Sequence, residues 1–312
     1  AALKGGITFI LDMPNNSTPT FSPKALEDKF ELSEKAVCDI GFHYGTNGKN
    51  TETFVQVSNN PRVFGLKLYC NHTTGDYLIE DSNLLQTVFS SWRCEKPILV
   101  HAEGEKLALV IELAKKYQQR LHVCHITLAS EVEMVRKAKQ NKQSISAGVT
   151  PHHLFLLDKD VEKLKGYAMM KPPLGSKLDQ DALWQGLQDG TIDLVETDHA
   201  PHTKQEKSGE KPIFGVPGLE SALGLLMKAA HEGRISIEQV KQFLYEKPKQ
   251  LFNIPDQQNT FIELDPEVPY ILGADGYETK CGWSPFDGWE LYGKVMAVTL
   301  KNKRIVENGK KV

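Results

Sequence analysis

The sequence lacks the patterns that would place it in several large classes. No Cys-x-x-C pair occurs. The five cysteines, Cys38, Cys70, Cys94, Cys124 and Cys281, are odd in number and scattered along 312 residues. That pattern excludes a disulfide scaffold and reads as reduced thiols in a cytoplasmic protein. No apolar run reaches the roughly 18 residues a membrane span needs. No basic segment with a cleavage site opens the chain. Neither charge sign dominates: 37 Lys plus Arg stand against 40 Asp plus Glu, a formal net charge of −3. A surface built to coat nucleic acid is therefore not expected. There is also no initiator Met. The chain opens on a short scrap, Ala1 to Gly6, followed at once by the strand-like Ile7-Thr8-Phe9-Ile10-Leu11, so an upstream segment is expected before Ala1.

Apolar residues make up 40% of the chain and charged residues 25%, enough for one large core or two domains. Short apolar runs alternate with amphipathic helical stretches. The strand candidates are 7–13, 36–43, 64–69, 98–101, 121–126, 144–149 and 194–197. Helical patterns fall at 24–32, 84–91, 105–118, 129–141, 180–187, 219–231 and 237–251. Strand, helix, strand over about 200 residues predicts a parallel sheet covered by helices. Seven strands fit a doubly wound sheet, or an eight-stranded (β/α)8 barrel of the TIM type without its first strand. From Glu263 the texture changes to Gly, Pro and Asp between short runs such as 295–300 and 304–306. The expected organisation is a barrel over 1–255 and a β-rich tail over 256–312 that belongs to a small composite domain.

Polar residues sit at or just beyond one strand end after another: Asn15, Lys67, His101, His125, His153 and Asp198. In a barrel those ends share one rim, where active sites are built. His101 and His125 on adjacent strands read as metal ligands or as ordinary hydrogen-bonded histidines. His122 is read as outward or structural, because strand alternation sets it on the face opposite His125. Cys124 is read as a small buried hydrophobe on the same ground. Lys67 closes an apolar strand, where a lysine is costly unless paired or modified. It either pairs with an acid across the rim or adds CO2 to become a carbamate able to bridge two metals. Asp198 can ligate a metal and accept a proton from its water, or cap a helix. One of His152 and His153 is expected to face the rim.

Taken together, these segments resemble the dihydroorotases of the amidohydrolase superfamily. The matching runs are Met13-Pro14-Asn15-Asn16, Gly65-Leu66-Lys67-Leu68-Tyr69, Val100-His101-Ala102-Glu103, His122-Val123-Cys124-His125, Thr150-Pro151-His152-His153-Leu154 and Pro172-Pro173-Leu174-Gly175-Ser176. Asp189-Gly190-Thr191-Ile192-Asp193, Thr197-Asp198-His199-Ala200-Pro201-His202, Gly215-Val216-Pro217-Gly218-Leu219-Glu220 and Ser284-Pro285-Phe286-Asp287-Gly288 follow in order. The Asp-His-Ala-Pro-His run separates this group from the hydantoinases.

The resemblance implies zinc, two ions per site, bridged by a carboxylated Lys67. His101 and His125 would hold the more exposed ion, and Asp198 would ligate the other and shuttle the proton. Asn15 and His202 would grip the substrate carboxylate, the Pro217-Gly218 loop would face the pyrimidine ring, and Thr73 would touch substrate from a mobile loop. The implied reaction is the reversible closure of N-carbamoyl-L-aspartate to L-dihydroorotate plus water, through a metal-bound hydroxide, in pyrimidine biosynthesis. Implied partners are a second copy in a homodimer and aspartate transcarbamoylase.

Two departures stand out. The family's first strand ends in a His-x-His motif followed by Arg, and these 312 residues contain no His-x-His. Lys171 stands where many members carry Asn. The competing expectation is a non-catalytic homologue acting as a scaffold for a partner enzyme. A hydantoinase-type cyclic amidase is a weaker one.

Overall fold

A computed structural model describes residues 1–72 and 77–312. Seven strands run parallel and pair in chain order: β1 (Phe9–Asp12), β2 (Asp39–Gly45), β3 (Val63–Tyr69), β4 (Ile98–His101), β5 (Leu121–Val123), β6 (Ile145–Val149) and β7 (Leu194–Val195). The sheet is curled and open, one strand short of an eight-stranded barrel, with β1 and β7 at its two edges. All seven strand segments expected from the sequence are present.

The helices between strands begin where local chemistry says they should. Ser22 caps Pro23–Ser33 by accepting from the Ala25 amide, with Pro23 in the first turn, where its missing N–H costs nothing. Ser176 and Asp179 form a reciprocal capping box at the start of Lys177–Asp189. Gly190 ends that helix in the left-handed conformation at φ 78°.

Alternation along the strands gives the sheet two different faces. Leu66, Leu68, Val100, Val123 and Val149 point outward into the helices and join Leu107, Val110, Val132 and Leu183 in the main apolar core. The concave face holds a smaller apolar floor of Phe64, Leu99, Cys124, Leu194 and Phe252. Above that floor the same face turns polar.

The tail contains a four-stranded antiparallel sheet in the order β13 (Lys310–Lys311), β12 (Lys303–Glu307), β11 (Lys294–Leu300), β8 (Phe261–Asp265), and a pair formed by β9 (Tyr270–Ile271) and β10 (Glu290–Leu291). Leu3 packs with Val295, Val298, Leu300 and Val306 of that sheet. The first residues of the chain therefore share a core with the last. Among the described residues, no helix is long and apolar enough to cross a membrane.

Candidate metal centre

Strand register explains which polar side chains meet. Lys67, Leu99, His122 and Ser146 are in-register partners on β3 to β6, and parallel partners project to the same face. Tyr69 and His101 form the next layer toward the strand ends. Lys67 is 2% exposed. Its Nζ lies 3.0 Å from the Cys124 Sγ and 5.2 Å from the Tyr69 ring centre.

His101 Nδ1 and His125 Nε2 face each other at 3.1 Å, with both rings buried. Burial, then the Lys67 and Lys171 cations, push the His101 pKa down to about 3. Burial, followed by His101 and Lys67, holds His125 well below its ordinary range. Both are thus neutral near pH 7, the form that ligates metals.

Asp198 lies just past β7. Burial, reinforced by the Glu196 carboxylate and opposed by Lys67, raises its pKa to about 6. His125 and Asp198 both hold positive φ, 37° and 41°. Neither is glycine, so the backbone is strained where it aims these two side chains.

The strain at His125 also corrects one expectation. β5 ends at Val123, and the turn at His125 resets the alternation. His122 and Cys124 therefore lie on the concave face together with His125: His122 is not outward, and Cys124 is the small buried hydrophobe expected, but in the apolar floor of His125's own face. The parity argument fails because it assumed an unbroken strand. His122 is fully buried, its Nδ1 2.9 Å from Ser146 Oγ and its Nε2 3.6 Å from Glu196 Oε2. Glu196 accepts a short hydrogen bond from the His125 amide. Burial favours a neutral Glu196, but the His122 ring, the His125 amide and Lys67 outweigh it and lower its pKa.

Among the described residues, the group of three His, Cys, Asp or Glu side chains whose ligand atoms all lie within 4.8 Å of one another is His122, Cys124 and Glu196. Asp198 stands outside that group, and Lys67 links the two sets through Cys124. Sequence reasoning passed over Glu196. The available signal was an acid inside the apolar run Leu194-Val195-Glu196, opposite the small Gly148.

The remaining candidates are more dispersed. Asn15 is exposed beyond β1, and His202 is half-buried beyond β7, at the two edges of the sheet. A Cβ on Gly215 would approach His202 Nε2 to 3.2 Å and the Ala200 carbonyl to 2.7 Å, so this loop packs closely around His202. Pro217 and Gly218 are buried. The Gly218 amide donates to His199 Nδ1 at 3.1 Å, and its carbonyl accepts from Ser221 and Ala222. Both of its polar groups are thus engaged within the protein. His152 and His153 are both buried, and His153 is tied to Thr150 at 2.7 Å and to the Pro172 carbonyl at 3.1 Å. Lys171 places its Nζ 4.8 Å from the Phe214 ring centre. Thr73 lies outside the described residues.

Comparison with known proteins fits this geometry. No protein-family model matches the chain. The multifunctional protein pyr1-3 of Dictyostelium discoideum is 37% identical over 99% of the chain, which covers 14% of that protein. The chain thus spans about a seventh of the length of such multifunctional relatives. The dihydroorotase of Pyrococcus abyssi is 30% identical over 99% of the chain and 77% of its own length. Among solved structures, the L-hydantoinase of Arthrobacter aurescens superposes with a TM-score of 0.91 at 23% identity, covering all of this chain and 80% of that one, a likeness of fold. The inactive dihydroorotase-like domain of the Chaetomium thermophilum CAD-like protein gives 0.84 at 25% identity, covering all of this chain and 87% of that one. With a dihydroorotase matched at this level over most of both lengths, and with histidines, lysine and aspartate gathered at the strand ends, the chain belongs to the dihydroorotase family of the amidohydrolase superfamily.

Proposed function

We propose that this chain builds the site of a dihydroorotase, closing N-carbamoyl-L-aspartate to L-dihydroorotate with loss of water, and reversing that step. The observation that carries the reading is the facing pair of neutral imidazoles, His101 Nδ1 and His125 Nε2, 3.1 Å apart. Two imidazole nitrogens bound to one tetrahedral zinc at 2.0–2.1 Å stand about 3.4 Å apart. The pair fits such an ion after opening by a few tenths of an ångström. In this reading His101 and His125 would hold one zinc, and Asp198 together with Lys67 in its carbamate form would hold a second. When bound, the metals supply Lewis acidity to the ring amide carbonyl and lower the pKa of water.

The chain's own residues do the rest. Asp198 sits in a buried setting beside Glu196 that raises its pKa, in the metal-free protein, to about 6, so its surroundings favour a carboxylate able to take and return a proton. In hydrolysis Asp198 takes the proton of the attacking water and passes it to the leaving ring nitrogen. In closure it moves the proton the other way. Asn15 and His202 bind the free carboxylate, and Thr73 adds a contact from its loop. In the Pro217–Gly218 loop the Gly218 groups are engaged internally, so the Pro217 carbonyl meets the ring. The same reading sets the barrel at 1–255 with the tail at 256–312 as part of a composite domain. It also places the protein in the cytoplasm as a homodimer associated with aspartate transcarbamoylase.

The named dihydroorotase relatives support this function. One observation favours a second reading, a non-catalytic scaffold: a matched structure is an inactive dihydroorotase-like domain. Turnover of dihydroorotate and of carbamoyl aspartate, measured on protein loaded with zinc and bicarbonate, separates them. Metal-replete protein inert in both directions, in this chain and in any longer protein that contains it, would establish the scaffold. Turnover of a hydantoin lacking the carboxylate would point to a hydantoinase instead.

A further inference from the structure

We propose that Lys207 is a positioning residue for substrate binding: its buried ammonium clamps the Gly215 loop and the wall around His202, and so sets the grip on the substrate carboxylate. Only the identity of that substrate rests on the dihydroorotase reading.

Lys207 lies on the short helix Lys204–Ser208, which begins directly after His202 and is capped reciprocally by Thr203 and Glu206. Among the described residues, Lys67 and Lys207 are the buried lysines, and Lys207 is 0% exposed. A buried ammonium is costly and ordinarily pairs with an acid. Lys207 does not. Burial alone shifts its pKa, down to about 8, so it remains an ammonium at neutral pH with no carboxylate beside it.

Backbone oxygens take the place of an acid. Nζ donates to the carbonyls of Met169 at 2.9 Å, Ile213 at 2.7 Å and Gly215 at 2.7 Å. Three acceptors use all three N–H groups of the ammonium. The Trp283 ring centre lies 5.7 Å from the same nitrogen.

These contacts join segments that meet around His202. The Met169 carbonyl also accepts from the Gly215 amide at 2.9 Å, and the Ala200 amide donates to the Val216 carbonyl at 3.0 Å. A Cβ on Gly166 would fall 1.8 Å from the Lys207 carbonyl oxygen, so the helix backbone rests directly on the 165–168 turn. Trp283 Nε1 donates to the His202 carbonyl at 2.7 Å. Gly215, at φ 124°, closes against the His202 ring on the other side. Lys207 therefore holds Gly215 and faces Trp283, the two residues that confine His202.

Without the ammonium, three buried carbonyl oxygens converge with no donor between them, and the loop must open to satisfy them. His202 then moves, while Lys67, His101, His125 and Asp198 stay on their strand ends. Loss of the clamp should weaken binding and spare the chemical step.

The test is Lys207→Met in the full chain, loaded with zinc and bicarbonate and assayed with dihydroorotate. KM should rise at least about tenfold, the worth of one hydrogen bond to a charged group, with kcat kept within about threefold. A merely structural lysine would instead lower kcat per mole of protein, through loss of folded enzyme, and leave KM alone. In a double-mutant cycle with His202→Ala, the two effects on KM should fall short of additive, because Lys207 acts through His202. Amide hydrogen exchange gives a readout that needs no turnover. Exchange at Gly215 should quicken at least about tenfold, while the strand amides keep their protection. If Lys207→Met does not fold, Lys207→Gln, which keeps two N–H donors on a shorter stem, should show the same split on a smaller scale. Unchanged KM in a folded variant, additive effects with His202→Ala, or unchanged exchange at Gly215 would overturn the proposal. Wild-type protein inert toward both substrates would sink the dihydroorotase reading instead, and the Gly215 exchange rate would then decide on the clamp alone.

Discussion

The two faces of the parallel sheet carry opposite chemistry on the same seven strands. On the helix-facing side Leu66, Leu68, Ile98 and Val100 are all fully buried in the main apolar core. The concave side carries Lys67, His101, His122 and Cys124 at positions of equal depth. Seven side-chain polar atoms are buried without a partner among the described residues. Five of them, on His43, Tyr69, His101, His122 and His125, belong to this one face. Each such atom costs about 1–3 kcal/mol if it stays unsatisfied. A fold gains nothing from that arrangement by itself. The outer face supplies the stability, and the inner face keeps groups whose partners are ligands.

Substitutions on the two faces should therefore separate chemistry from stability. The largest effect is expected at Lys67. Lys67→Ala should lose most bound metal and lower dihydroorotate turnover by more than the roughly 10²–10³-fold that removal of a single oxyanion donor costs, with the thermal transition kept. Metal analysis beside calorimetry checks it, and a metal-replete, active Lys67→Ala protein would break the comparison. On the outer face Leu66→Ala should do the reverse. It leaves a cavity in a packed core and should cost about 2–5 kcal/mol in denaturant unfolding, with metal content per folded molecule unchanged.

Asp198→Asn comes next. The amide can still offer an oxygen to a metal but cannot take a proton, so kcat should fall at least about 10²-fold while substrate affinity changes far less. A near-normal kcat in metal-replete Asp198→Asn would move the proton-transfer role elsewhere, with His202 first to examine.

The fold was legible because period-2 apolar runs and capped helices repeat without interruption from Phe9 to Val195. The strand ends were legible for the same reason, and so were Lys67, His101 and Asp198. The inner cluster was not. His122 and Cys124 were assigned to the wrong face because one residue, His125, takes a positive φ that no pattern of residue types announces. Glu196 was missed because its place depends on the absence of a side chain at Gly148, 48 positions away in sequence. Contacts of that kind are set by register between strands, and register appears only once the sheet is closed side by side. Gly218 shows the converse. Its motif is present, but a Cβ there would fall 2.5 Å from the Thr197 carbonyl, so its first duty is to let that loop pack on the end of β7.

The smallest effect expected is at His43, and it tests the comparison most finely. His43 lies on the concave face, fully buried, edge-on to Phe252 at 5.7 Å, with Nδ1 lacking a partner. It is not among the proposed metal ligands. If the inner face bears polar groups at a cost to stability, an apolar residue of similar volume should improve the fold. His43→Leu should raise the unfolding free energy at pH 7 by about 1 kcal/mol, the low end of the cost of an unsatisfied buried group. Acid sharpens the test. Burial, then the Lys67 and His122 charges, lower the His43 pKa to about 3, against 6.5 for the free side chain. Between those values the unfolded chain binds the proton and the folded chain does not, so stability rises with pH there and is lost as pH falls from about 6.5 toward 3. The variant lacks this proton uptake, so its stability should fall less steeply across that window, while other buried histidines such as His101 keep part of the slope. Urea unfolding of both proteins from pH 7 to pH 4 measures the difference. A variant less stable than wild type at pH 7, with the same acid slope, would mean that His43 is satisfied in the folded protein and that the inner face is less costly than the contrast between the two faces implies.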